Sequence, residues 1–202
     1  YKLVMDFINS DAQSIASFLS EPVQVEEIYV YMQTNYGTSV TPFYTTLALW
    51  VGGIVLVALM KVKVDYEDDE FKDATEHQKY IGRALLFLAM GQLQALVVVL
   101  GDLYILKIDC THPFMLWLAA AITSFVFTLF IYTLVLTFGD LGKAIAVVMI
   151  VLQIAGSGGT YPIELLPEFF QNVYLYFPFP YAINAMREAI SGLYQCDYAV
   201  FL

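Results

Sequence analysis

The chain has 202 residues, of which 59% are apolar and 14% are charged, with a net charge of −10 and a mean hydropathy of +0.67. A soluble domain of this size carries about 25% charged and about 45 to 50% apolar residues. The composition therefore excludes a water-soluble domain and predicts a multi-pass membrane protein. The acidic residues are spread along the chain, and no basic patch interleaved with aromatic residues is present, so no nucleic-acid partner is expected.

The sequence pattern divides the chain into two predicted regions. Residues 1–41 read as an extracytoplasmic lead-in, with helix-like and then strand-like spacing, and residues 42–202 read as a transmembrane domain. Within that domain, four uncharged runs are long enough to cross a hydrocarbon core of about 30 Å, which takes about 20 helical residues. The predicted spans are residues 43–60, 84–106, 114–138 and 142–158.

The positions of Lys and Arg predict the orientation of these spans, because cytoplasmic loops retain an excess of both residues. Six of the nine lie on one side, five of them in residues 61–83 and the sixth at Lys143. The other side holds Lys2, Lys107 and Arg187. We therefore expect the 61–83 loop to be cytoplasmic, and residues 1–41 and those after about 160 to lie outside.

The region after the fourth span predicts a re-entrant hairpin over residues 160–190, on the outer side. A cluster of three glycines should end the fourth helix, and four prolines then divide an aromatic, apolar stretch into pieces too short to span. Such a hairpin is tolerated at membrane depth only where protein or a water-filled cavity covers its backbone. The predicted hairpin residues are Gly156, Gly158, Gly159, Tyr161, Pro162, Glu164, Pro167 and Pro178.

Charged residues at the end of the hairpin have two interpretations. In the first, Arg187, Glu188 and Glu164 form a polar gate at the outer mouth, held in place by Asn184. In the second, these charges lie at the water interface and only fix the orientation of the hairpin, because charges near a membrane boundary cost little free energy.

Other residues predict packing rather than chemistry. Gln92, Gln94 and Gln153 lie inside spans, where we expect them to hydrogen-bond across helices, and Gly52 with Gly53 should allow close helix approach. Aromatic residues near the span ends are expected to include interfacial anchors; they are Tyr44, Trp50, Tyr104, Trp117 and Tyr132.

Motifs for enzymatic chemistry are lacking. Gly142-Lys143 is not a phosphate-binding loop, because Thr137 and Ala144 stand where that motif needs Gly and Ser or Thr. We expect no catalytic site, no cofactor and no metal, and the acidic run of residues 65–70 reads as a solvated loop. A disulfide between Cys110 and Cys196 is topologically allowed and is left open.

Three stretches of sequence resemble a known family. GSGGTYPIELLPEFF and FPFPYAINAMREAISG resemble the re-entrant signature near the end of ABC-2 type permeases, the membrane subunits of a class of ATP-driven exporters. Together with NYGTSVTPFYTTLALWVGG, they resemble the C-terminal membrane domain of the phage infection protein (YhgE/Pip) family. The resemblance runs from about residue 18 to residue 193.

The resemblance implies an all-α transmembrane bundle cut from a six-span parent, with a large extracytoplasmic insertion before the present chain and a final span after it. It also implies a homodimer or heterodimer of membrane halves and a separate cytoplasmic ABC ATPase, so that ATP would act only through that subunit. The cytoplasmic loop would contact the ATPase; a plain acidic connector is the alternative. The coupling residues would be Phe71, Lys72, Asp73, Glu76 and Tyr80.

Two functions follow for this multi-pass protein of the bacterial cell membrane. The first is a permease-like domain that exports a hydrophobic or envelope-associated substrate, powered by the separate ATPase. The alternative is a non-transporting scaffold or receptor that anchors a large extracellular domain and has a phage or the secretion machinery as its partner. A neighbouring gene for an ATPase would favour the first function.

Overall fold

In the computed structural model, residues 35–63, 75–159, 162–193 and 197–202 are described, and within them all regular structure is helical. This confirms the all-α helical bundle. The α-helices are α1 (Tyr36–Leu59), α2 (Glu76–Leu100), α3 (Pro113–Phe138), α4 (Asp140–Gly156), α5 (Glu168–Val173), α6 (Pro178–Ser191) and α7 (Tyr198–Phe201). A π-helical turn, Gly101–Ile105, continues α2, and two 3-10 turns flank α5 at Ile163–Leu165 and Tyr174–Tyr176.

Three of the four predicted spans are confirmed as helices long and apolar enough to cross a membrane. They are Tyr36–Leu59, Glu76–Ile105 and Pro113–Phe138. The fourth, α4, has 17 residues. At about 1.5 Å per residue its length is about 25 Å, slightly less than the hydrocarbon core of about 30 Å. That α4 crosses the membrane therefore stays a prediction.

Two helices begin earlier than the sequence predicts, because polar caps start them. The Asn35 side chain accepts the Thr38 backbone N–H at 2.8 Å, so α1 includes the end of the predicted lead-in. Residues 1–34 of that lead-in lie outside the described residues. Thr75 and Gln78 form a reciprocal capping box that starts α2 two turns before the predicted span.

Helix α3 lies at the centre of the bundle and packs against α1, α2, α4 and α6. A single residue, Gly139, joins α3 to α4, with φ of 61°, a backbone conformation that glycine adopts without steric cost. We call the end of the bundle with Asn35, residues 106–112 and Gly159 the outer end, after the predicted orientation, and the opposite end, with residues 60–63 and Gly139, the inner end.

Two of the three intramembrane glutamines hold α2 between its neighbours. Gln94 Nε2 donates to the Ala48 carbonyl of α1 at 3.0 Å, and Gln92 Nε2 donates to the Ala121 carbonyl of α3 at 2.9 Å. The predicted packing role is confirmed for both. The expectation is wrong for Gln153, since its amide is buried and makes no hydrogen bond within the described residues.

The expected close approaches at Gly52 and Gly53 are also confirmed. A Cβ at Gly52 would lie 1.7 Å from Gln94 Nε2, and one at Gly53 would lie 2.9 Å from Ile131 Cδ1. Small residues are therefore needed where α1 meets α2 and α3.

Two of the expected interfacial aromatics are core residues instead. Trp50 and Tyr132 are 0% and 1% exposed. Trp50 donates its indole N–H to the Ala146 carbonyl at 3.2 Å, and the Tyr132 hydroxyl donates to the Tyr80 carbonyl at 3.2 Å. Both polar groups find partners inside the bundle, and neither ring needs the interface. Tyr44 and Tyr104 are exposed, as expected for anchors.

Candidate functional site: the folded-back outer segment

Two glycines at the end of α4 allow the next segment to fold back onto the bundle. Gly156 is the last residue of α4, and Gly159 follows it. A Cβ at Gly156 would lie 2.7 Å from Phe170 Cδ1, and one at Gly159 would lie 2.5 Å from Phe43 Cδ2. Gly158 between them has φ of 63°. The glycine cluster thus ends α4, as predicted, and also makes room for the side chains of Phe170 in the segment and of Phe43 in α1.

Residues 162–177 form only short helical pieces. Pro162 has an extended ψ of 137°, and Pro167 stands immediately before α5, where its fixed φ suits a helix start. The Gln171 side chain donates to the Glu164 and Leu166 carbonyls at 3.3 and 2.8 Å, and so closes the turn between the pieces. None of these pieces is long enough to span a membrane.

The N-terminal end of α6 lies near the middle of the bundle. Phe179 packs edge-on against Trp50 of α1, with ring centroids 5.6 Å apart, and stacks on Phe127 of α3 at 5.5 Å. Trp50 and Phe127 also contact each other, at 4.9 Å, and each lies near the midpoint of its own helix. This aromatic trio joins α6 to α1 and α3 near mid-depth of the bundle.

The C-terminal end of α6 lies at the outer end of the bundle. The backbone N–H groups of Thr111 and His112 donate to the Ile190 and Ala189 carbonyls, both at 3.0 Å. These bonds join α6 to the connection between α2 and α3. Helix α6 therefore covers only half the depth of the bundle, as expected for a re-entrant hairpin; the insertion of this hairpin into a membrane stays a prediction.

The inner end of α6 exposes few unpaired backbone donors. The first four N–H groups of a helix, from N-cap to N3, have no partner within the helix. Here the N-cap Phe177 N–H donates to the Tyr174 carbonyl, and Pro178 and Pro180 have no N–H. Only the Phe179 N–H is left, which suits a helix end in an apolar environment.

The predicted outer gate is only partly assembled. Arg187 donates to Asn184 Oδ1 at 3.0 Å, so the expected contact between these two residues is present. Glu164 is exposed on the first 3-10 turn and forms no ion pair with Arg187 within the described residues. Glu188 lies about 100° around α6 from its neighbour Arg187 and is fully buried. The three charges do not form one cluster.

At the inner end, the structure places two of the predicted coupling residues beside a cleft of about 320 Å³. Glu76 pairs with Lys79 at 3.3 Å, and the Tyr80 hydroxyl lies 2.7 Å from the Thr133 hydroxyl. The cleft is lined by Val62, Lys63, Glu76, Lys79, Tyr80, Tyr132 and Leu136. The predicted residues Phe71, Lys72, Asp73 and Tyr161 lie outside the described residues.

Two further polar groups are notable at the outer end. Asp102, which lies inside the second predicted span, is buried in the π turn and accepts a hydrogen bond from Thr45. Cys110 is a free thiol whose Sγ lies 3.6 Å from the Ala189 carbonyl, and burial raises the pKa of that thiol. The sequence signal for Asp102 was a lone charge next to a long apolar run.

Comparison with known proteins decides the family. A model of the family described as ABC-2 type transporter matches residues 77–190, more than half of the chain. The chain belongs to the ABC-2 type transporter family. It is also 31% identical, over 185 residues, to a protein of Bacillus subtilis (strain 168) described as uncharacterized protein YhgE. The match covers 92% of this chain, which confirms the resemblance that the sequence suggested.

The membrane domain of an ABC-2 type transporter is a multi-pass membrane protein in contact with the lipid bilayer, and it is not a classical enzyme. The chain spans about 23% of the length of the Bacillus relative. No solved structure matches this chain.

Proposed function

We propose that this ABC-2 type membrane domain exports a hydrophobic or envelope-associated substrate and is powered by a separate ATPase that binds at its inner end. The observation that carries the proposal is the half-depth course of α6. Its N-terminal end lies at the Trp50, Phe127 and Phe179 trio, and its C-terminal end lies at the outer end of the bundle.

This arrangement supports transport because an exporter needs a barrier that one element opens. The trio seals the bundle at mid-depth, while the partly exposed face of α6 offers polar groups above the seal; they are Tyr181, Asn184, Arg187 and Ser191. A polar helix face at this depth suits a water-filled cavity or a second membrane half better than lipid. Pairing with a second half, of the same or another chain, is part of the proposal.

The test is ATPase co-purification with the full-length protein, followed by charge reversal of Lys72, Asp73 and Glu76. If the loop couples the two proteins, the reversed variant loses the ATPase. Reversal of Lys143 and Asp140, which form an exposed pair at the same inner end, is the matched control and should retain it. Failure of any ATPase to associate would contradict the proposal and favour the membrane scaffold.

A further inference from the structure

We propose that Asp102 and Thr45 form a binding site for a small monovalent cation, H⁺ or Na⁺, that joins α1 to α2 at the outer end of the bundle. The starting observation is the burial of the Asp102 side chain, which is 7% exposed. Its Oδ2 accepts a hydrogen bond of 2.6 Å from the Thr45 hydroxyl, and Thr45 is itself 2% exposed.

The partner of this buried carboxyl group is neutral. Within the described residues, the Thr45 hydroxyl is its side-chain hydrogen-bond partner, and no ion pair includes Asp102. Removing an ionised carboxylate from water is unfavourable unless a positive charge accompanies it, as an ion pair, a bound cation or a proton. Because the described residues supply no such charge at this carboxyl group, the compensating charge comes from solution.

The ionisable groups around Asp102 do not replace that cation. Helices α1 and α3 pack against α2. The ionisable residues in the outer half of α1 are Tyr36 and Tyr44, and the outer half of α3 contains none. The ionisable residues of the neighbouring connection and of α6 are Lys107, Asp109, Cys110, His112, Tyr181, Arg187 and Glu188. Lys107 is exposed and has φ of 53°, while Arg187 is bound to Asn184.

The backbone at Asp102 is irregular in a way that suits an ion site. The Gly101 N–H is shared between the Val97 and Val98 carbonyls, and the Asp102 carbonyl accepts from Ile108 N–H at 3.2 Å, outside the normal helical register. Single π turns inside helices occur frequently at functional sites, and membrane transporters bind coupling ions where a helix is interrupted. A second observation thus points to the same place.

A line of buried oxygen atoms leads from the site towards the outer end. Thr38, Thr41 and Thr45 lie on one face of α1 and are all at most 5% exposed. The Thr38 hydroxyl makes no hydrogen bond to any residue in the described part of the chain. Pro42 has no N–H, so the Thr38 carbonyl also lacks its normal helical donor. A hydroxyl oxygen of this kind is the type of ligand that hard cations prefer.

The experiment measures thermal unfolding of the chain in lipid nanodiscs while Na⁺ replaces choline at constant ionic strength, and separately while pH is lowered. A cation that binds the folded state raises Tm in proportion to the logarithm of its concentration. If the ion is Na⁺, Tm rises with Na⁺; if the ion is H⁺, Tm rises as pH falls, because the folded state then binds the extra proton.

Two variants make the assignment specific. Asp102→Asn keeps the shape of the side chain and should lose the response, whereas Asp109→Asn, an exposed carboxyl in the next connection, should keep it. If Asp102→Asn does not fold, Thr45→Val should weaken the response and Thr45→Ser should keep it. With folded Asp102→Asn as the reference, infrared difference spectra of the wild type identify the ion. Bound H⁺ gives the C=O band of a carboxylic acid, whereas bound Na⁺ shifts the stretching band of a carboxylate.

The proposal is overturned if wild type responds to neither ion, or if the Asp102 and Thr45 variants respond as wild type does. The outcome does not depend on an ATPase, so it is separable from the proposed export function.

Discussion

At the residue scale, the position of each missing Cβ predicts which glycines are indispensable. A Cβ at Gly142 would lie 2.4 Å from the Leu134 carbonyl oxygen, a backbone atom that cannot move aside. Gly142→Ala should therefore separate α3 from α4 and cost about 1–3 kcal/mol. Gly82→Ala is the control, because its Cβ meets no atom within 4 Å and alanine favours the helix by about 1 kcal/mol. Equal changes in Tm of the two variants in detergent would contradict this packing.

A second residue-scale prediction concerns coupling between Gly52 and Gln94. Gly52→Ala would drive the Gln94 side chain off the Ala48 carbonyl, so it should destabilise the wild type. In a Gln94→Ala background the same change should cost little, because the obstructing amide is gone. The double-mutant cycle should give a coupling of about 0.5–3 kcal/mol, measured by thermal unfolding. Additive effects would show that the two residues do not share this contact.

The sequence predicts the residues that pack helices together but not their partners. Polar residues in an apolar run have to find hydrogen bonds, which is why Gln92 and Gln94 were identifiable. The same reasoning fails for Gln153 and Asp102, because the partners of a buried polar group depend on which helices meet it. The predicted span includes Asp102, but neither its π turn nor its partner Thr45 follows from the sequence.

At the scale of the element, the prolines of α6 predict an unusual response to substitution. Pro180→Ala adds an N–H at the buried end of the helix, where no carbonyl of the same helix can accept it. The expected loss is about 1–3 kcal/mol, although alanine is the better helix former. Pro162→Ala, at an exposed position, is the control. Thermal unfolding that ranks Pro180→Ala as the more stable variant would contradict the buried position of this helix end.

The connection between α2 and α3 carries a pH-dependent prediction. Burial disfavours the thiolate of Cys110 and raises the pKa of its thiol, so at a given pH less thiolate is present. Alkylation by a thiolate-directed reagent should be slower than at an exposed Lys107→Cys in a background without the native cysteines. The rate should also keep rising to a higher pH than at the control position. Identical pH profiles would show that the connection does not cover Cys110.

Hydropathy and caps account for much of the element-scale prediction. A span needs about 20 apolar residues, so the existence of α1, α2 and α3 follows from the sequence. The predicted spans start later than α1 and α2, because a span is recognised from its apolar run, whereas Asn35 and Thr75 start these helices outside that run. Both caps were visible as residue types before the runs.

At the scale of the whole molecule, the sequence predicts a bundle but not its interior. The order of the spans and the Gly and Pro punctuation predict a folded-back segment after α4. The meeting of Trp50, Phe127 and Phe179 joins residues up to 129 positions apart, and no periodicity encodes such a contact. The depth that α6 reaches within the bundle is therefore a result of tertiary packing and cannot be predicted from its amphipathic sequence.

The most direct test of this account is the membrane depth of α6, measured by fluorescence quenching with lipids that carry quenchers at different depths. The probes are placed at Tyr181→Cys, on the first turn, and at Leu193→Cys, after the last turn; both positions are partly exposed. We predict that the Tyr181 probe lies near mid-bilayer and the Leu193 probe at the outer interface. Equal depths would mean that α6 lies flat on the membrane, and labelling of Tyr181→Cys from the cytoplasmic side would mean that it spans; either result would contradict a re-entrant helix.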